Sequence, residues 1–461
     1  MLMCLDAVGL PELRRPLNMA LFRLLCRCDG MTEMGLVTGT EQAALDQLVQ
    51  GGILERSEEP HSPQSWQEYR FIDNRRVTTV AWGITGRCNA RCRHCFMASD
   101  TGYRPQEFSW DQCERILSEI ADCGVTNIML TGGEPLLHPD FFRIVHEIKR
   151  LGMKVTRIYT NGFLLKEETL ARMADENQQP EMVISFDGLG VHDWMRNISG
   201  AETAALSAIR LCKDRGLKVR VAMNLNTETL DSAIPTARML AGMGVDEMFM
   251  IRTTQTPKWL DQTRRTLTDD VYLEFQLKLV STLLPEIRGG MAMRFFNGIR
   301  IAPETRAEDL ARIWPVFLSE KIRNCAWCNK TAEGFFIASD GRVLPCDACE
   351  GATIAGGVLT SDNRVFERPL RDILNDSDYS RAMEIRVEDV LEQNPECRSC
   401  QWRERCHGGP CRPCGAADRA ARAGSWNIDI LAGFRDRDPV NCRFFRGGYY
   451  ERLMQLLEEP V

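Results

Sequence analysis

Between residues 77 and 251 the chain alternates short apolar runs with amphipathic stretches, the order expected of a parallel sheet whose strands are joined by crossover helices. The spacing predicts strands at Val77–Thr85, Val125–Thr131, Lys154–Thr160, Met182–Asp187, Lys218–Leu225 and Asp246–Arg252. Ser109, with Gln112 three residues on, forms a capping-box pattern; Ile116, Leu117, Ile120 and Ala121 then recur at helical spacing up to Gly124. Gly152 and Gly216 punctuate later segments in the same way. Six strands predict an α/β fold, a partial (β/α)6 barrel, because a full eight-stranded barrel needs more chain than this region supplies.

The flanking segments read differently. Residues 1–75 hold a helical stretch near Pro16–Cys28, a second near Thr40–Gln50, and a β-like Ile53–Glu55 after Gly51 and Gly52, a winged-helix-like pattern. Residues 256–320 read as a helical and loop-like bridge. From 321 to 461 helical periodicity fades, and cysteine, glycine and charge dominate, as where metal sites replace a large apolar core. Four domains follow: 1–75, 76–255, 256–320 and 321–461.

Charge and cysteine content narrow the function. With a net charge of -7 and a pI of about 5.6, the chain has no global positive field to draw in nucleic acid. No apolar run of about 20 residues is present, and the opening residues lack the order of a signal peptide, so the expectation is a cytoplasmic protein with no membrane partner. In that compartment 19 cysteines point to metal or redox chemistry rather than disulfides. Three lie at 88–95 and ten between 325 and 442; the remaining six, Cys4, Cys26, Cys28, Cys113, Cys123 and Cys212, are expected to pack mostly as small hydrophobes.

Cys88, Cys92 and Cys95 directly follow the first predicted strand, with gaps of three and two residues, so their sulfurs can converge on one loop. Three thiolates leave one iron of a four-iron cluster open to a ligand. From spacing alone a structural zinc site is the alternative, with His94 as the local fourth ligand. At the end of the second strand stand Gly132, Gly133, Glu134 and Pro135, where glycines permit close approach of a ligand and Glu134 can accept from an ammonium group. Thr160, Asn161 and Gly162 close the third strand; Ser185, Phe186, Asp187 and Gly188 close the fourth.

The cysteine triplet with His94 and Phe96, followed by the GGEP element, resembles the radical S-adenosylmethionine (radical SAM) superfamily. That resemblance implies a four-iron four-sulfur cluster on Cys88, Cys92 and Cys95, and S-adenosylmethionine contacts at Gly132, Gly133, Glu134, Pro135, Asn161, Ser185 and Arg196, the last a carboxylate clamp. Farther on, Cys325, Cys328, the glycine-preceded Cys346, Cys397, Cys400, Cys406, Cys411, Cys414 and Cys442 resemble the SPASM domain. By that resemblance Cys325, Cys328, Cys346 and Cys411 hold one auxiliary four-iron cluster, and Cys397, Cys400, Cys406 and Cys442 a second. Three clusters in all are implied. Cys349 and Cys414 are left over, as replacement ligands, hydrogen-atom or proton donors, or bystanders, and no catalytic side chain is otherwise identified.

The expected function is a peptide maturase that abstracts hydrogen from a ribosomally made precursor and closes a thioether or carbon-carbon crosslink. Its partners would be the precursor, whose leader binds residues 1–75, and an electron donor such as flavodoxin or ferredoxin. The alternatives are another SPASM activity, such as formylglycine formation or cofactor or porphyrin modification, and a non-catalytic iron-sulfur electron carrier or regulator.

Overall fold

A computed structural model describes residues 77–95, 106–254, 256–262, 267–286, 290–308, 334–349, 363–406 and 435–458, and before them 2–5, 24–25, 27–28, 39–50 and 54–57. All six expected strands form: β3 (Thr79–Thr85), β4 (Asn127–Gly132), β5 (Lys154–Thr160), β6 (Glu181–Ser185), β7 (Val219–Leu225) and β8 (Glu247–Arg252). Each pairs in parallel with the next. The Ser109–Gln112 capping box is present at the start of α2 (Trp110–Asp122), which buries Cys113, Ile116, Leu117 and Ile120. Gly124, Gly152 and Gly216 follow their helices with φ of 76°, 74° and 69°, the left-handed conformation that ends a helix cheaply only at glycine.

The sheet is larger than the six-strand reading. The stretch expected to be helical and loop-like carries a helix, Asp269–Leu283 (α9), capped by Thr268, and then β9 (Ala292–Phe295) and β10 (Arg300–Ile301). β9 extends the sheet parallel to β8, and β10 returns antiparallel to it. At the opposite edge β11 (Gly334–Ile337) pairs in parallel with β3, with β12 (Val343–Leu344) antiparallel beyond it. The order is β10-β9-β8-β7-β6-β5-β4-β3-β11-β12. Runs of two to four residues are too short to show a period, which is why these strands were not legible.

Alternation along each strand separates two faces. On β7, Val219, Val221, Met223 and Leu225 enter the main core under the helices, which leaves Arg220, Ala222 and Asn224 on the inner face. Cys113, Cys123 and Cys212 are buried in that core, as small hydrophobes would be. The C-terminal helices α15 (Pro439–Arg446) and α16 (Tyr449–Glu458) dock on α9. Arg443 and Tyr449 both reach Asp270, and Arg452 reaches Glu274.

Near the amino terminus β1 (Leu2–Leu5) pairs antiparallel with β2 (Leu54–Ser57), and α1 (Gly39–Gln50) buries Leu45 in a separate cluster with Leu24, Leu25, Cys28 and Leu54. Most of the expected winged-helix-like unit lies outside the described residues.

Candidate functional site

The carboxyl ends of β3 to β7 converge on the cysteine loop, and backbone contacts fix it. Gly133 N donates to Thr85 O at 2.7 Å and Glu134 N to Arg87 O at 2.8 Å. A Cβ on Gly132, whose φ is 135°, would stand 2.2 Å from Thr85 O; one on Gly133 would stand 2.2 Å from Arg87 O. The two glycines therefore admit the backbone of the cysteine loop, where the sequence suggested approach by a ligand.

Glu134 is fully buried. It accepts from Thr160 Oγ1 (2.8 Å), Asn161 N (2.8 Å) and Leu136 N (3.3 Å), stitching the end of β4 to that of β5. Burial pushes its carboxyl up to about 7, against the pull of those three donors. Asn161 in turn donates to Asn89 Oδ1 at 2.7 Å and lies 3.8 Å from Cys88 Sγ, so this residue braces the loop that bears the first thiol. Ser185 ends β6 half-buried, its hydroxyl without a hydrogen-bond partner among the described residues. Pro135 opens a single 3-10 turn.

On the other side of the loop stands α5 (His192–Arg196). Arg91 N donates to Arg196 O at 3.2 Å and Arg93 N to Met195 O at 2.9 Å, while the Arg93 guanidinium reaches Trp194 O and stacks 4.8 Å from the Trp194 ring. Arg196 is 7% exposed; its Nη1 lies 3.5 Å from Cys92 Sγ and its Nε 2.8 Å from Asp187 Oδ2, a charge contact rather than a directed hydrogen bond. Burial works against the guanidinium charge, but Asp187 and the Cys92 sulfur outweigh it and raise its pKa. Asp187 is fully buried; burial opposes its charge, yet the Arg196 guanidinium beside it holds it well below the usual carboxylate range. Asn224 N donates to Asp187 Oδ1 at 3.0 Å, and the Asn224 amide donates to His94 Nε2 at 3.0 Å. Burial lowers His94 to about 4, so the imidazole is neutral at pH 7.

The sequence offered no signal for Asp187 as the counter-ion of Arg196, for Asn224 as the partner of His94, or for Thr160 on Glu134. Asn224 and His94, like Thr160 and Glu134, are brought together by strand order, whereas Arg196 reaches Asp187 within one segment, where the short helix after β6 turns back toward the strand end. Met223, at the end of β7, is a core side chain.

The donor set fits an iron-sulfur cluster. Cys88 Sγ accepts from Ala90 N at 3.4 Å and Cys92 Sγ accepts from Arg196, arrangements suited to thiolates. Burial pushes the Cys88 thiol up to about 11, and Cys92, Glu134 and Cys95 add to the rise. Among the described residues no three Cys, His, Asp or Glu side chains close on a metal ion by themselves.

In the C-terminal region Cys397 and Cys400 flank a turn, Cys406 ends a short helix and Cys442 lies on α15. Burial raises the Cys397 thiol, and Cys442 and Cys400 lie near enough to add to it. Asn441, fully buried beside Cys442, donates to Cys406 Sγ at 3.4 Å. Cys346 and Cys349 stand 3.8 Å apart, Cys349 fully buried. Cys325, Cys328, Cys411 and Cys414 lie outside the described residues.

Two family models match this architecture: the radical SAM superfamily over residues 82–240, and SPASM, an iron-sulfur cluster-binding domain, over residues 328–401. The chain carries a radical SAM domain and a SPASM domain. It is similar to the AdoMet-dependent heme synthase of Methanosarcina barkeri, at 23% identity over 71% of this chain and 90% of that protein. It is also similar to the pre-heme d1 synthase of Dinoroseobacter shibae, at 34% identity over 37% of this chain and 42% of that protein, so the second match spans less than half of the relative. In fold it resembles Streptococcus suis SuiB, solved with S-adenosylmethionine and with the precursor peptide SuiA: with the former the TM-score is 0.57 at 18% identity, over 87% of this chain and 81% of that one.

These relatives correct the expected function. Matches that run over nine-tenths of the length of curated relatives are to AdoMet-dependent heme synthases, which overturns the reading as a peptide-crosslinking maturase. The electron-carrier alternative gives way to a radical SAM enzyme. Among the described residues no helix is long and apolar enough to cross a membrane.

Proposed function

We propose that the enzyme modifies a tetrapyrrole by removing hydrogen from one of its side chains. The observation that carries this reading is the near full-length similarity to an AdoMet-dependent heme synthase. When bound, the cluster and S-adenosylmethionine supply a one-electron cleavage whose 5′-deoxyadenosyl radical takes a hydrogen atom from substrate. Cys88, Cys92 and Cys95 would hold that cluster. Cys397, Cys400, Cys406 and Cys442 would hold a second, and Cys325, Cys328, Cys346 and Cys411 a third. The backbone at Gly132–Pro135, with Asn161 and the free hydroxyl of Ser185, lines the cofactor side of the site. An external one-electron donor of the flavodoxin or ferredoxin class would reduce it.

A second feature suits a substrate with carboxylate side chains. At the opposite end of the inner face, Arg157, Glu181, Arg220, Glu247, Arg294 and Arg300 form a row across β5 to β10, four cations against two carboxylates. Arg220 lies four residues before Asn224 on the same face of β7, about 13 Å away along the strand. An excess of arginine facing the interior favours anionic groups there.

The test is anaerobic incubation of the reconstituted enzyme with S-adenosylmethionine, a reductant and a panel of propionate-bearing tetrapyrroles, iron-loaded and metal-free. One of them is expected to lose mass in step with formation of 5′-deoxyadenosine. Release of 5′-deoxyadenosine that no tetrapyrrole changes, with no binding of any, would overturn the reading.

A further inference from the structure

We infer that Arg196 is a positioning residue that fixes the Cys92 thiolate and, balanced by Asp187, sets the reduction potential of the cluster held by Cys88, Cys92 and Cys95. The inference rests on the radical SAM class and not on the tetrapyrrole reading, so either can fail alone.

The geometry commits Arg196 to the loop twice. Its carbonyl accepts from Arg91 N, one residue before Cys92, and its Nη1 lies 3.5 Å from the Cys92 sulfur. Its Nε faces Asp187 Oδ2 at 2.8 Å. The resemblance assigned this side chain to the carboxylate of S-adenosylmethionine; in the structure Asp187 already serves as its carboxylate partner. His192 adds no charge: Asp187 N donates to His192 Nδ1 at 2.9 Å, so that nitrogen is unprotonated, and burial lowers the imidazole further. Asp187 is held independently by Asn224 N. What faces the sulfur is therefore one buried cation, backed by one buried anion on its far side.

Hydrogen bonds to cysteine sulfur and the net charge near a cluster are the protein's main controls on its potential. A cation beside the sulfur favours the reduced, more negative cluster; the anion behind it opposes this. The two residues should therefore shift the potential in opposite directions when neutralised, a signature that a purely structural role does not produce.

The experiment is an anaerobic redox titration of the full reconstituted chain, following the electron paramagnetic resonance signal that S-adenosylmethionine perturbs, in Arg196→Gln, Arg196→Lys, Asp187→Asn and the Arg196→Gln/Asp187→Asn double variant. Expected are a shift to lower potential in Arg196→Gln, a smaller one in Arg196→Lys, a shift to higher potential in Asp187→Asn and a return toward the parent in the double variant. The dissociation constant for S-adenosylmethionine should stay within about threefold, because less than about 1 kcal/mol of binding is at stake. Unmoved potentials with binding weakened tenfold or more in Arg196→Gln would overturn the inference and restore the carboxylate-clamp role. Loss of the cluster's iron in all four variants would overturn the tuning role and leave Arg196 as scaffold.

Discussion

The barrel mouth and the C-terminal cysteine field hold thiols by different means. At the mouth, the loop bearing Cys88, Cys92 and Cys95 is bound on one side by Gly133, Glu134 and Asn161 and on the other by α5, and its neighbours Glu134 and Asp187 are fully buried. In the C-terminal field Cys397, Cys400, Cys406 and Cys442 are half-exposed; Cys397, Cys406 and Cys442 sit on helices of four to eight residues and Cys400 in the link between the first two. Helices that short are not stable alone. The first site is organised by the protein, and the second leans on what its cysteines bind.

Stripping the metal should break the two regions apart. Bound metal contributes on the order of 10 kcal/mol at structural sites. In the iron-free protein, amides of residues 377–406 are expected to exchange hydrogen orders of magnitude faster than in the loaded protein, while those of β4 to β7 remain protected. Equal protection of both regions in the iron-free protein would erase the distinction.

A smaller effect tests the protein-made side of the comparison. Gly132→Ala would set a Cβ 2.2 Å from Thr85 O at a φ of 135°. Overlap and backbone strain together should cost about 4 kcal/mol. The expected outcome is a lower unfolding midpoint and loss of iron from the barrel site, with the C-terminal iron kept, measured by denaturation and by iron content compared with the parent and with a variant lacking Cys88, Cys92 and Cys95. Parent-like stability would show that the glycine pair does not dock the loop.

The third prediction separates burial from the charge of Glu134. Its pKa of about 7 in the folded chain lies above its ordinary value of 4.5, so the folded state holds the proton more tightly between those values. Stability contributed by this group is therefore present below pH 4.5 and lost as pH rises through 7, by about 3 kcal/mol in all. Glu134→Gln should remove that loss. The check is the difference between parent and variant unfolding free energies from pH 4 to 8, which should shift in favour of the variant as pH rises. A difference independent of pH would mean that folding leaves the Glu134 carboxyl at its ordinary pKa.

Legibility followed the length scale of each signal. The strands β3 to β8 and the Ser109 cap were legible because a strand or a helix start is specified within a few residues. β9 and β11 were not, since each is four residues long and becomes a strand only by pairing with an edge already made by β8 or β3. The cysteine triplet, the GGEP element and Arg196, all singled out from the sequence, are brought together at the strand ends. Their tasks were less legible: the glycines admit a loop, Glu134 ties two strands, and Arg196 faces a sulfur.

The sequence by itself determined the radical SAM and iron-sulfur domains, because thiolate spacing and the GGEP element are local properties of the chain, but not the substrate, for which the peptide reading was overturned. It also determined the alternation that separates the helix-covered core from the inner face. Only the tertiary structure decided the pairings: Arg196 with Cys92, Asn224 with His94, Glu134 with Thr160 and Asn161, and the row of arginines across β5 to β10. The physical reason is that a parallel sheet sets side by side residues separated by a whole crossover helix, so the partner that fixes a buried charge is chosen by strand order and register, which no local pattern records.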